Sequence, residues 1–199
     1  MNCDGSANEG PHAPKRQPEP HDRFPREILA HASYPMTNPT GSELSHVDGQ
    51  GILRMVDVGD KPMSDRRATA TGNILMEVTT LNAIRNNTLK KGDVISTARI
   101  AGIMAAKRTA ELVPLCHGLT LSDVRLEFKL DESLPGVRVE ASVRTTAQTG
   151  VEMEALTAVT IALLTVYDMA KAVDRAMKIT DVVLREKRGG TKGDYTADP

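Results

Sequence analysis

Apolar and polar residues fall into regular periods only from about Ser42 onward. Met55-Val56-Asp57-Val58 reads as a short extended segment, followed by a polar turn through Asp60, Lys61 and Pro62. Residues 67–76 alternate small or β-branched side chains and predict a strand. Residues 77–87 predict a short helix with Val78, Leu81 and Ala83/Ile84 on one face. Lys91-Gly92-Asp93 is a break, and Asp93 is placed to cap a helix over 94–111 that Pro114 brings to a stop. Residues 121–130 and 136–146 alternate with period two across a loop containing Pro135 and Gly136, which predicts a hairpin with one face in water. Residues 152–175 predict a long helix and 179–187 a last strand. The order β-α-α-β-β-α-β is the plan of an α+β, ferredoxin-like split βαβ fold, an antiparallel sheet with helices packed on one face.

The long helix is the most informative element. From Ala155 to Tyr167 every residue is apolar, small or Thr. A helix that is apolar nearly all round is buried on more than one side, and a sheet covers only one. The second layer most simply comes from another subunit, so a homo-oligomer is expected; small residues that merely soften a solvent face are the alternative. Glu152 and Glu154 begin this rod, and Asp168 and Lys171 end it. First-turn acids are usual macrodipole partners. Asp168 and Lys171 read equally as an ordinary i,i+3 ion pair or as a functional couple. Charge beside a buried run is costly, and partial desolvation draws a lysine toward neutrality, where it suits proton transfer. Glu154 and Asp168 stand 14 positions apart, about 21 Å along a helix. If both serve one substrate, either the ligand is long or the pocket joins different subunits.

Composition adds the boundaries. Residues 1–41 hold seven of the eleven prolines and three of the five histidines, and a segment so poor in apolar surface is expected to be a disordered extension. His12, His21 and His31 fit no standard metal-ligand spacing. The domain is then 42–199. A net charge of -1 gives no global field for nucleic acid or an anionic membrane, and 3% aromatics with no Trp gives no stacking platform. Cys3 and Cys116 build neither a disulfide framework nor a multi-cysteine metal cluster. No uninterrupted apolar stretch reaches about 18 residues, and no targeting signal opens the chain. A cytoplasmic protein is expected.

Three further stretches carry candidate chemistry. The loop Leu112–Leu119 contains Cys116 and His117. His117 reads as a satisfied, buried histidine or as a donor to phosphate, and Cys116 as a small apolar residue. Lys90 and Lys91 oppose the dipole of the helix they precede unless an anion lies nearby. Lys187-Arg188-Gly189-Gly190-Thr191-Lys192-Gly193-Asp194 sets cations among glycines, which suits phosphates, although taken singly it reads as a frayed terminus.

Together the motifs point further. Lys91-Gly92-Asp93-Val94, Thr97-Ala98-Arg99-Ile100-Ala101-Gly102-Ile103, Ala106-Lys107-Arg108-Thr109, Pro114-Leu115-Cys116-His117, Thr149-Gly150-Val151-Glu152-Met153-Glu154-Ala155-Leu156-Thr157, Tyr167-Asp168-Met169-Ala170-Lys171-Ala172 and the Gly189-Gly190 tail all occur in order. Over about residues 43–196 the chain closely resembles the MoaC family of cyclic pyranopterin monophosphate synthases. The resemblance implies conversion of 3′,8-cyclo-7,8-dihydro-GTP to cyclic pyranopterin monophosphate with loss of pyrophosphate, in molybdenum cofactor biosynthesis. It also implies a lyase, a ferredoxin-like fold, and a hexamer built as a trimer of dimers with active sites between subunits. Asp168 matches the catalytic aspartate, and Lys171 and Lys91 match lysines important for activity. Leu115, Cys116, His117, Met153 and Glu154 match substrate-contacting segments, while Arg66 and Lys187 fall where the triphosphate is expected. Ala170 departs from a common Cys, which weakens any cysteine mechanism, and the Thr191-Lys192 order departs in the tail. Lys171 tuned by Asp168 is expected to shuttle protons at the ring, and Lys91 with His117 to neutralise phosphate. No cofactor is required and no carboxylate cluster demands a protein-held metal; Mg2+ is allowed as a companion of the triphosphate. A nucleotide-sensing module and a scaffold subunit are the competing classes.

Overall fold

The computed structural model describes Met1, residues 53–191 and residues 193–197. Apart from Met1, the expected extension over 1–41, its boundary at 42, and Lys192 lie outside the described residues. In chain order the elements are β1 (Ser64–Leu75), α1 (Val78–Arg85), α2 (Val94–Ala106), α3 (Thr109–Leu112), β2 (Asp123–Asp131), β3 (Gly136–Ala147), α4 (Glu152–Ala170), β4 (Lys178–Arg188) and β5 (Tyr195–Thr196). The strands form one antiparallel sheet in the order β2-β3-β1-β4-β5. Strand β3 therefore splits β1 from β2, which is the ferredoxin-like arrangement expected from the pattern.

Alternation decides which face is covered. In β3, Val137, Val139, Ala141, Val143 and Thr145 are buried, while Arg138, Glu140 and Arg144 are exposed. Ala68, Ala70, Gly72 and Ile74 of β1 continue the covered face. Ala155, Ala158, Val159, Ala162, Leu163 and Val166 of α4 are fully buried within this core. At Gly72 a Cβ would sit 2.8 Å from the Val159 and Leu163 side chains, so the missing side chain lets α4 lie close to the sheet. By length and composition α4 would suffice to cross a bilayer, yet here it is a core helix.

The second layer over α4 differs from the expectation. Helix α2 of the same chain packs against it, and at Gly102 a Cβ would lie 2.9 Å from the Ala158 carbonyl and collide with Leu126. Met153 and Leu164 of α4 and Ile100 and Met104 of α2 remain exposed.

Three boundaries also move, each for a local reason. The helix expected over 94–111 stops at Ala106 and resumes as the single turn α3, because the buried Thr109 hydroxyl donates to the Ala106 carbonyl (3.0 Å) and competes with the backbone ladder. The helix expected over 152–175 ends at Ala170. There the buried Asp174 carboxylate accepts the Glu77 N–H (2.9 Å) and the Ala176 N–H (2.9 Å), bonds incompatible with another helical turn. The stretch from Lys187, read singly as a frayed terminus, instead begins inside β4 and leads through Gly189 into β5, where Glu186 pairs with Thr196 and Lys187 with Tyr195. Gly189, at φ +80°, makes the turn where a Cβ would strike the Asp65 carbonyl, and its N–H donates to Asp194 (3.0 Å).

Gly102→Val should lower unfolding free energy by about 1–3 kcal/mol through overpacking between α2 and α4. Chemical denaturation checks this; an unchanged midpoint would show that the helices have room to separate.

Candidate active site

One group of candidate residues meets at the C-terminal end of α4. Asp168 accepts Lys91 Nζ on Oδ2 (2.8 Å) and Lys171 Nζ on Oδ1 (2.7 Å). Lys91 also donates to the Asp168 carbonyl (2.8 Å). Gly92, at φ +87°, turns the chain between Lys91 and α2, and Asp93 caps α2 by accepting the Ser96 N–H (2.9 Å). The anion that Lys91 needs ahead of a helix N-terminus is thus Asp168. Hydrogen bonds from Lys171 and then Lys91 hold the Asp168 carboxyl down at about 2. The same contact raises Lys171 above its ordinary value, by hydrogen bond first and charge second. This corrects the expectation that Lys171 is drawn toward neutrality: it is half exposed, paired and firmly an ammonium.

The remaining candidates gather around the N-terminal end of α4. Leu115, Cys116, His117, Met153 and Glu154 line a cavity of about 440 Å3, walled on another side by Val56, Val58 and Lys61. His117 donates from Nε2 to the Val56 carbonyl (2.9 Å). Glu154 is only 4% exposed. Burial pushes its carboxyl up to about 7, opposed by a backbone hydrogen bond and helped by the Glu152 charge. Burial and the Glu154 charge likewise raise the Cys116 thiol, so a reactive thiolate is disfavoured.

Beside it lies a smaller cavity of about 170 Å3 whose cations are Lys61, Arg66, Arg67, Lys187 and Arg188. Arg66 is buried and donates to the Ala147 (3.3 Å) and Gln148 (3.2 Å) carbonyls. Lys187 is held 3.3 Å from Glu152, on the strand that the β4–β5 pairing fixes. The two cavities share Lys61, Thr149, Gly150 and Glu152.

Fold and sequence therefore agree on the groups and on their separation along the helix. Leu115, Cys116, His117, Met153 and Glu154 share one cavity, Arg66 and Lys187 the next, while Lys91, Asp168 and Lys171 stand about 21 Å away along α4. Lys91 and His117, expected to act together on phosphate, do not meet within one chain. Sequence reasoning missed Lys61 and gave Glu152 only a capping role. No local signal marks Lys61, since it reaches the site through contacts made far along the chain. Among the described residues no group of three or more His, Cys, Asp or Glu is arranged to hold a metal ion.

Comparison with known proteins completes the picture. The MoaC family model matches residues 55–190. A protein of Methylobacterium sp. (strain 4-46) named cyclic pyranopterin monophosphate synthase is 57% identical over 158 residues, covering 79% of this chain and 99% of its own. Proteins of the same name from Dinoroseobacter shibae, 55% identical over 79% of this chain and 99% of theirs, and Parvibaculum lavamentivorans, 54% over 78% and 97%, are similar. The matched span runs from the segment of Val56, Val58 and Lys61 that lines the larger cavity to the cationic end of β4 and takes in every candidate residue placed in these cavities and at the far end of α4 except Thr191, so this chain belongs to the MoaC family.

Proposed function

We propose that this chain carries out the cyclic pyranopterin monophosphate synthase reaction of molybdenum cofactor biosynthesis. In it, 3′,8-cyclo-7,8-dihydroguanosine 5′-triphosphate becomes cyclic pyranopterin monophosphate and pyrophosphate, a phosphorus–oxygen lyase step. The observation that carries this reading is the adjoining pair of cavities. One concentrates cations in a chain of net charge -1, as a triphosphate requires. The other offers an apolar wall with Glu154 and His117, as a fused ring undergoing proton transfers requires.

The proposed chemistry needs both ends of α4. Phosphates occupy the smaller cavity and the ring the larger, where Glu154 exchanges protons near neutrality. Lys171, kept charged by Asp168, supplies a proton to the ring. Because about 21 Å separates these ends in one chain, Asp168, Lys171 and Lys91 reach the ring from a neighbouring subunit. The exposed Met153 and Leu164 on α4 and Ile100 and Met104 on α2 supply apolar surface for that contact. A cytoplasmic hexamer, a trimer of dimers, is the assembly this reading adopts. The reading assigns no resident cofactor, and Mg2+ arrives with the triphosphate.

Three outcomes test it. Supplied with the cyclised GTP intermediate, the chain should release pyrophosphate and form the pterin product, and Lys171→Ala should lower that turnover by about 100-fold or more with circular dichroism and assembly unchanged; an active variant removes Lys171 from the reaction. Light scattering should find particles near six times the 21.5 kDa of one chain, and fully active lone chains would defeat the shared site. The third outcome concerns Glu154. Its folded value near 7 exceeds the ordinary 4.5, so folding takes up a proton between these values. Stability therefore falls as pH rises through that window and levels off above it. Glu154→Gln should abolish this slope in denaturation series between about pH 5 and 8; parallel slopes would mean that Glu154 titrates elsewhere.

A further inference from the structure

We propose that Lys61 is a substrate-contacting residue that holds the α-phosphate, the one phosphate the product keeps, where the two cavities meet. This rests on the reading above. Residues 54–63 form no helix or strand, yet the segment is tied down. The Lys61 N–H donates to the Val58 carbonyl (3.0 Å) and the Gly59 N–H to Asp57 Oδ1 (2.8 Å), which close its own turn. The Gln148 amide donates to the Gly59 carbonyl (2.8 Å), and His117 donates to the Val56 carbonyl (2.9 Å). The strap is therefore fastened once beside each cavity, and it carries Lys61 across their boundary.

Of the four residues that line both cavities, Lys61 is the only cation. Three of the four other cations there have partners: Lys187 faces Glu152, Arg188 faces Glu186, and Arg66 is committed to two carbonyls, while Arg67 lines only the smaller cavity and does not reach the junction. Lys61 has no carboxylate partner among the described residues. Glu152, the anion at the same junction, is compensated by Lys187. An unpaired ammonium between a ring-shaped space and a cation-lined one is free to meet an anion there.

The covalent order of the substrate does the rest. Ring, sugar, α-, β- and γ-phosphate follow one another, so a ring in the larger cavity and a terminal diphosphate in the smaller leave the α-phosphate at the boundary. In the cyclisation a sugar hydroxyl oxygen bonds to the α-phosphorus and gives its proton to water. The bond from that phosphorus to the bridging oxygen breaks, and its electron pair departs with pyrophosphate. Negative charge on the α-phosphate oxygens is met by the Lys61 ammonium.

The test uses the full assembled chain, the cyclised GTP intermediate as substrate and inorganic pyrophosphate as product inhibitor. Lys61→Ala should lower kcat at least about tenfold, Lys61→Arg should keep most of it, and the pyrophosphate inhibition constant should stay within about twofold of wild type. If Lys61→Ala disturbs the strap, as thermal unfolding would reveal, Lys61→Gln provides the same reading with nearly the full side chain. Pyrophosphate inhibition that weakens in step with turnover would move Lys61 to the leaving diphosphate and overturn the assignment. Unchanged turnover overturns it as well. A wild-type chain that releases no pyrophosphate overturns the functional reading and this proposal together, whereas active wild type with indifferent Lys61 variants overturns this proposal alone.

Discussion

A nineteen-residue helix covered by sheet on one side and by α2 on another is a rigid spacer, and its length governs the geometry of everything chemical in this chain. Burial of Ala155, Ala158, Val159, Ala162, Leu163 and Val166 leaves α4 no freedom to bend its ends together. The residues that flank the apolar run carry the charge: Glu152 and the buried Glu154 at one end, Asp168 and Lys171 at the other. The two cavities open around the first end, and the lysine–aspartate group closes the second. In the proposed reaction that spacing is bridged by a second subunit, which brings the far end of its own α4 to the ring.

Electrostatics shows the same division. A net charge of -1 leaves no attraction to spare over the whole surface, so cations must be concentrated by the fold. Strand β4 delivers Lys187 and Arg188, β1 delivers Arg66 and Arg67, and the strap delivers Lys61 to one small space. Pairing with carboxylates is uneven there, and it is the unpaired charge that recruits a ligand. At the far end the balance is reversed in sense: one carboxylate serves two ammoniums, leaving a net positive group at the helix terminus.

Much of this was legible in the residues, and the failures have a common cause. The β2–β3 hairpin was readable because Arg138 and Glu140 alternate with Val139 and Ala141, and the cap of α2 because Asp93 stands three residues before Ser96. Gly102 sits inside a good helical pattern, and only the backbone of α4 explains it. The end of α4 was misread because Ala172 and Val173 continue the apolar run. What stops the helix is the Asp174 bond to Glu77, 97 positions away. Lys61 was invisible for the same reason, since its strap is held by Gln148 across 89 positions. The groups of candidate residues came from motifs, but whether they form one centre or two depended on helix length and on which end of α4 each motif reaches.

Two carboxylates on one helix have their proton affinities driven far apart, and that separation assigns their duties in the proposed reaction. Asp168 sits between two ammoniums and stays an anion down to about 2, so it is a poor proton acceptor and a strong organiser of Lys91 and Lys171. Lys171, raised by that contact, enters the reaction carrying its proton and can only give it away first. Glu154, desolvated and near 7, is the group able to stand in either state when the ring arrives. Environments that drive titratable groups apart in this way mark donor and acceptor. Across a seam between subunits, an ammonium from one α4 and a neutral-range carboxyl from another would then face the same ring from opposite sides, with no group asked to do both jobs.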